Sequence, residues 1–170
     1  MLTGIDLHAQ ARKILVVYFS QSGNTREVAS QIKNAVGGEV FELIPEKPYT
    51  DNYSELTKQA KQEIESAYRP ALKSKISKIE SYDTIFVGSP CWWSTIAPPV
   101  VTFLAENDLS GKTLIPFMTH EGSQLGHAIQ DIKKLCPDSK VLDGLAIRGS
   151  QAKNSQNEVM KWLQKNKMMK

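Results

Sequence analysis

Three short apolar runs constrain this chain more than any other feature. They lie within residues 13–19 (KILVVYF), 84–87 (TIFV) and 112–118 (KTLIPFM). A strand that buries one face alternates apolar and polar residues, whereas a strand covered on both faces reads as a continuous β-branched or aromatic stretch. These runs read as the second kind. They require a parallel sheet with helices on both faces, so the segments between them have to supply those helices.

The intervening pattern does so. Val28, Ala29, Ile32 and Val36 share one face of a helix over 24–36, which Gly37-Gly38 stop. Strand two is expected at Glu39–Ile44, closed by Pro45. Asp51 is expected to cap a helix reaching about Tyr68, with Tyr53, Leu56, Ala60, Ile64 and Ala67 on a narrow stripe, and Pro70 ends it. Residues 71–82 read as a short connection with some helical character. After strand three at Thr84–Val87, a helix opens with proline in its first turn and runs from Pro98 to Glu106. Lys112–Met118 is strand four. Leu125, Ala128, Ile129, Ile132 and Leu135 mark a helix stopped before Pro137. Lys140–Ile147 is strand five, and roughly Asn154 to Lys165 the last helix. Five strands alternating with helices imply right-handed crossovers and a three-layer α/β/α, doubly wound fold. At 170 residues this is one domain, expected over residues 13–170 behind an N-terminal extension of residues 1–12.

Charge matters here by its location. The net charge is +3, but five lysines (Lys153, Lys161, Lys165, Lys167, Lys170) face one acidic residue, Glu158, in the last twenty positions, and residues 1–150 net −1. The basic balance belongs to the C-terminal end, without the arginine and aromatic interleaving of a nucleic-acid face. Two distant cysteines, Cys91 and Cys136, make neither a disulfide framework nor a zinc site, and the chain reads as a protein of a reducing, cytoplasmic compartment. No apolar run is long enough to span a bilayer, and residues 1–12 lack a signal-type segment. A chain already relieved of an export leader would read the same way.

In doubly wound sheets, ligands bind beyond the carboxyl ends of the strands. Three such loops are unusual here. Ser20-Gln-Ser-Gly-Asn-Thr25 places three hydroxyls, two amide side chains and a glycine at a helix start, the composition of a phosphate cradle. An ordinary helix cap would look similar. The loop has neither a phosphate-loop lysine nor GxGxxG, which disfavours nucleoside triphosphates and dinucleotides and leaves a monophosphate held without metal. Residues 88–101 (GSPCWWSTIAPPVV) carry no charge and two of the three tryptophans, Trp92 and Trp93, suited to stacking on a planar aromatic ligand. One of the pair packing as core is the plainer alternative. Cys91 reads more readily as a buried bystander than as a redox thiol. Thr119-His-Glu-Gly-Ser-Gln-Leu-Gly126 offers hydroxyls and backbone groups to the polar edge of a heterocycle, with His120 a candidate proton donor and no nucleophile beside it. Phosphate, planar ring and a ring edge with donors and acceptors together describe flavin mononucleotide (FMN).

The sequence resembles the flavodoxin family, particularly its shorter members. KILVVYFSQSGNTREVA, YRPAL ahead of YDTIFVGSPCWWSTIAPPVVTFL, and GKTLIPFMTHEGSQLG carry the resemblance, which covers about Lys13 to Trp162. It implies that Ser20, Ser22, Gly23, Asn24 and Thr25 hold the FMN phosphate. Pro90, Cys91, Trp92 and Trp93 would wall the isoalloxazine, and Thr119, Gly122, Ser123 and Gly126 would line its pyrimidine side or the ribityl chain. The implied sheet has five parallel strands in the order 2-1-3-4-5, with FMN at the switch between strands one and three. Two departures stand out: flavodoxins are typically acidic near the flavin, whereas loop 88–101 is uncharged, and His120-Glu121 stands where many relatives carry small residues.

Two activities follow as expectations. The first is electron transfer to a redox partner protein by an FMN-carrying flavodoxin-like protein, favoured because no feature dedicated to nicotinamide is visible. The alternative is an FMN-dependent NAD(P)H:quinone, or other small-acceptor, oxidoreductase, which an apolar tryptophan-rich rim would suit. A partner-binding domain without redox chemistry would leave the three-loop site unexplained.

Overall fold

A computed structural model describes residues 12–169. The expected extension at residues 1–12 lies outside that range apart from Arg12. Strand β1 (Ile14–Tyr18) is buried at all five positions, as its unbroken apolar run requires. It is flanked by β2 (Glu39–Glu42) and β3 (Thr84–Trp92), both parallel to it. Strand β5 (Thr113–His120) lies parallel to β3 from the Thr84–Thr113 pair to the Pro90–Thr119 pair. Two short strands complete that side, β6 (Lys140–Val141) and β7 (Leu145–Arg148), each parallel to β5.

The expected count of five strands is therefore wrong, and the order 2-1-3-4-5 with it. Among the described residues seven strands form, with the path β2-β1-β3-β5-β6 and β7 also on β5. Two local events account for the difference. Strand β3 does not end at Val87 but continues to Trp92 and folds back as the two-residue antiparallel strand β4 (Thr95–Ile96). The expected final strand breaks at 142–144, because Leu142 N–H bonds the Leu114 carbonyl (2.9 Å) while register with β5 resumes only at Phe117–Leu145.

Helices α1 (Asn24–Val36) and α5 (Gln156–Lys165) cover one face, where Val28, Ile32, Val159, Trp162 and Leu163 pack on Ile14, Val16, Phe86, Ile115 and Phe117. The other face joins Leu15, Val17, Ile85, Val87 and Leu114 to α3 (Pro98–Glu106) and α4 (Ala128–Leu135) through Val100, Phe103, Leu104, Ala128 and Ile132. Helix α2 (Tyr53–Glu65) is capped by Asn52, whose side chain accepts from Glu55 N–H (3.0 Å), and not by Asp51. It buries only Ala60 and Glu63. The connection at 71–82 holds one 3-10 turn, Ile79–Ser81, and another 3-10 segment, Gly149–Asn154, leads into α5.

Candidate functional site

The carboxyl ends of β1, β3, β5 and β7 open onto one cavity of about 660 Å³. Of the residues expected at a ligand site, Ser22, Asn24, Pro90, Cys91, Trp92, Trp93, Thr119, His120, Gly122 and Ser123 line it. Ser20, Gly23, Thr25 and Gly126 stand outside its lining. The Ser20 hydroxyl accepts from Gly23 N–H (3.1 Å) and Arg26 N–H (3.3 Å), so it caps the start of α1. The Thr25 hydroxyl is buried and shares a 2.7 Å hydrogen bond with the Thr119 hydroxyl, which ties the first loop to the end of β5. Gly126 packs against the Ser94 backbone.

The first loop leaves two main-chain donors unpaired. The amides of Asn24 and Thr25 begin α1, where an α-helix leaves its N–H groups unpaired, and neither takes a protein acceptor among the described residues. Arg26, in the first turn of α1, pairs with Glu42 at the end of β2 (2.5 Å).

The tryptophans part company. Trp92 packs edge-on against Phe19 (5.4 Å between centroids) and Tyr49 (5.1 Å), joining the core while still facing the cavity. Trp93 is 52% exposed at the hairpin tip. It and Ser94 form a two-residue turn between β3 and β4 with φ of +50° and +64°, the left-handed pair that hairpin twist favours and non-glycine residues resist. Trp93 is clamped to α2, its Nε1–H donating to the Thr57 carbonyl (2.9 Å) and the Lys61 ammonium lying 5.2 Å above its ring. Ser89 secures the hairpin base, its hydroxyl accepting from Ala97 N–H (2.8 Å).

The third loop carries His120, which is buried. Its Nδ1 accepts from Gly122 N–H (2.9 Å), which places the ring proton on Nε2. Burial, and then the guanidinium of Arg148 beside it, hold its pKa below the usual 6.5, with Glu121 pulling weakly the other way. Burial likewise pushes the Cys91 thiol up, against a smaller effect of the Ser123 hydroxyl, so Cys91 is a protonated wall and not a thiolate.

Sequence reasoning missed the fourth wall. Tyr53, Leu56, Thr57 and Ala60 of α2 line the cavity, with Gln21, Ser94, Glu121 and Gly149. The apolar stripe on α2 was visible, but nothing in its spacing says whether it faces the sheet or a ligand. Gly149 gave no signal, because it follows a strand whose end was placed differently.

A family model described as Flavodoxin matches residues 13–166. The chain belongs to the flavodoxin family. Solved structures agree with this membership. A protein of Bacteroides eggerthii provisionally assigned as a flavoprotein is 33% identical, with a TM-score of 0.79 over 89% of this chain and 96% of that one. A second, from Bacteroides uniformis, is also 33% identical, with a TM-score of 0.79 over 91% and 99%. A Lactobacillus acidophilus flavoprotein in complex with FMN shares the fold at 24% identity and a TM-score of 0.72, over 89% and 99%. No curated protein matches the chain. Among the described residues of this flavodoxin-family chain, no helix is long and apolar enough to cross a membrane.

Proposed function

We infer that this chain binds FMN in the cavity and transfers electrons through it. The observation that carries the reading is the meeting of three chemically distinct walls around one space: unsatisfied helix-start amides, aromatic surface and a neutral polar edge. That donor set fits the group. The amides of Asn24 and Thr25 with the side chains of Ser22 and Asn24 would hold a phosphate, and Ser20, Gly23 and Thr25 fix the loop's shape. The Lactobacillus acidophilus relative, of the same fold, was crystallised with FMN.

A bound flavin supplies one- and two-electron redox chemistry; the protein orients it and sets its surroundings. Trp92 and Trp93 with Pro90 offer flat apolar surface and exclude water. Cys91, Gly122, Ser123 and Thr119 present uncharged groups to a ring edge, and Gly126 packs the hairpin tip against their loop. His120, neutral with its proton on Nε2, is suited to donating a hydrogen bond into the cavity. The expected partner is a redox protein. The uncharged 88–101 rim and the apolar face of α2 favour, as a second reading, a small planar acceptor such as a quinone with NAD(P)H as hydride source.

The test is the visible spectrum of FMN-loaded protein under anaerobic conditions, before and after NADPH or NADH. A flavin band that persists supports the carrier, and rapid bleaching supports the reductase. Failure to load FMN removes both. Within the same assay, Trp93→Ala should weaken FMN binding several-fold, consistent with roughly 1 kcal/mol for an aromatic contact.

A further inference from the structure

Helix α2 walls the cavity with Tyr53, Leu56, Thr57 and Ala60, yet it buries only Ala60 and Glu63. Helix α1, also 13 residues long, buries five. An element with so few buried side chains opens locally at a low free-energy cost. One of its two burials also opposes docking. Glu63 accepts from the Tyr49 hydroxyl (3.2 Å) through Oε1, while Oε2 is buried without a hydrogen-bond partner among the described residues. Tyr49 itself stays with the core, its ring edge-on to Phe19 and Trp92.

The helix is fastened instead by the hairpin tip. The Trp93 indole N–H bonds the Thr57 carbonyl (2.9 Å), and the Lys61 ammonium lies 5.2 Å from the centre of its ring. Trp93 and Ser94 both hold a positive φ that non-glycine residues resist. Strain of this kind persists where the surroundings enforce it, and it gathers at ligand clamps and switches. Here the enforcing contact joins two walls of the same cavity.

We propose that α2 is a lid on the flavin site and that the contact of Trp93 with Thr57 and Lys61 is its latch. The lid undocks to admit or release the flavin and closes over it. The proposal rests on the FMN reading of the cavity. Lys61 isolates the latch from the ligand, because it holds the Trp93 ring without lining the cavity. Removing its ammonium weakens the closed lid equally with and without flavin. Association and dissociation then quicken together and affinity stays level. A side chain that only touched the flavin would change dissociation and affinity instead.

The experiment uses the full chain stripped of flavin. FMN uptake is followed by stopped-flow fluorescence, and release by the return of free-flavin fluorescence on dilution. Lys61→Met keeps the aliphatic stem and removes the charge; both rate constants should rise about threefold, with their ratio unchanged. Lys61→Arg keeps a cation over the ring and should restore both rates. Hydrogen exchange of the amides in 53–65 should slow when wild type binds FMN and quicken in Lys61→Met. Rates that do not move in Lys61→Met, or a faster release alone, overturn the latch and leave the FMN reading intact. Exchange in 53–65 that ignores both FMN and the substitution overturns the lid. A wild-type chain that takes up no FMN overturns the lid and the FMN reading together.

Discussion

Replacing Gly126 by alanine tests how the hairpin tip is held over the cavity. Gly126 has a φ of +51°, which alone costs alanine about 1 kcal/mol. Its new Cβ would fall inside contact distance of the Ser94 carbonyl oxygen, carbon and Cα, the last at 2.8 Å. These are backbone atoms of a two-residue turn already in the left-handed region, so no side chain can swing away. The turn must withdraw, which strains the hydrogen bond from His127 N–H to the Ser94 carbonyl (2.5 Å), worth about 1 kcal/mol. Overpacking adds at least about 1 kcal/mol more. The expected loss is about 3 kcal/mol, or a fall in Tm of roughly 6–12 °C for a chain of this size. Gly111→Ala is the matched control: φ is +75° there, but nothing lies within 4 Å of the new Cβ, so only the conformational cost of about 1 kcal/mol applies. Thermal and urea unfolding of both variants measure the difference. If they agree to within about 0.5 kcal/mol, the contact between Gly126 and the hairpin carries no energy and the argument fails.

Other consequences can be checked in the same way. Gly88→Ala would drive a methyl group into the ring of Phe117, its neighbour across β3 and β5, and should cost about 3 kcal/mol; Phe117→Leu should recover part of it in a double-mutant cycle. Trp93→Phe loses the bond to the Thr57 carbonyl and weakens the Lys61 contact, so stability should fall by about 1 kcal/mol and protease cleavage within residues 53–65 should quicken. Burial raises the Glu63 carboxyl above its ordinary 4.5, outweighing the Tyr49 hydroxyl; stability from the neutral acid is full below that value and is lost as pH rises through the folded pKa. Glu63→Gln should abolish that decline in a pH series of urea melts. His120 is the opposite case: its folded pKa lies below 6.5, so its contribution is full above that pH and is lost on acidification through the folded value. His120→Gln should flatten that acid limb.

The elements legible in the sequence were those whose residues meet one environment throughout. Strand β1, with five consecutive buried positions, could be nothing but a central strand. Helix α1 ran over Asn24–Val36 as its apolar face and the Gly37 stop dictate, and α3 over Pro98–Glu106 as its prolines allow. The three loops that open onto the cavity stood out for the same local reason: adjacent tryptophans, a hydroxyl-rich helix start and a glycine-spaced polar loop are composition, and composition needs no partner.

What tertiary structure decided were relations between distant residues. The hairpin that carries Trp93 depends on β3 staying paired with β5 as far as Pro90–Thr119, past the glycine and up to the proline that locally argue for its end. The final strand breaks because its two halves pair with different stretches of β5. The apolar stripe of α2 could face either the sheet or the cavity, and only the indole of Trp93 and the Thr57 carbonyl settle it. Glu121, Asn24 and Gly149 meet at one point from three loops separated by up to 125 positions in sequence. Periodicity and turn chemistry act over a few residues and are written in the chain; strand pairing and the packing of loop tips depend on which segments the folded sheet brings within a few ångströms.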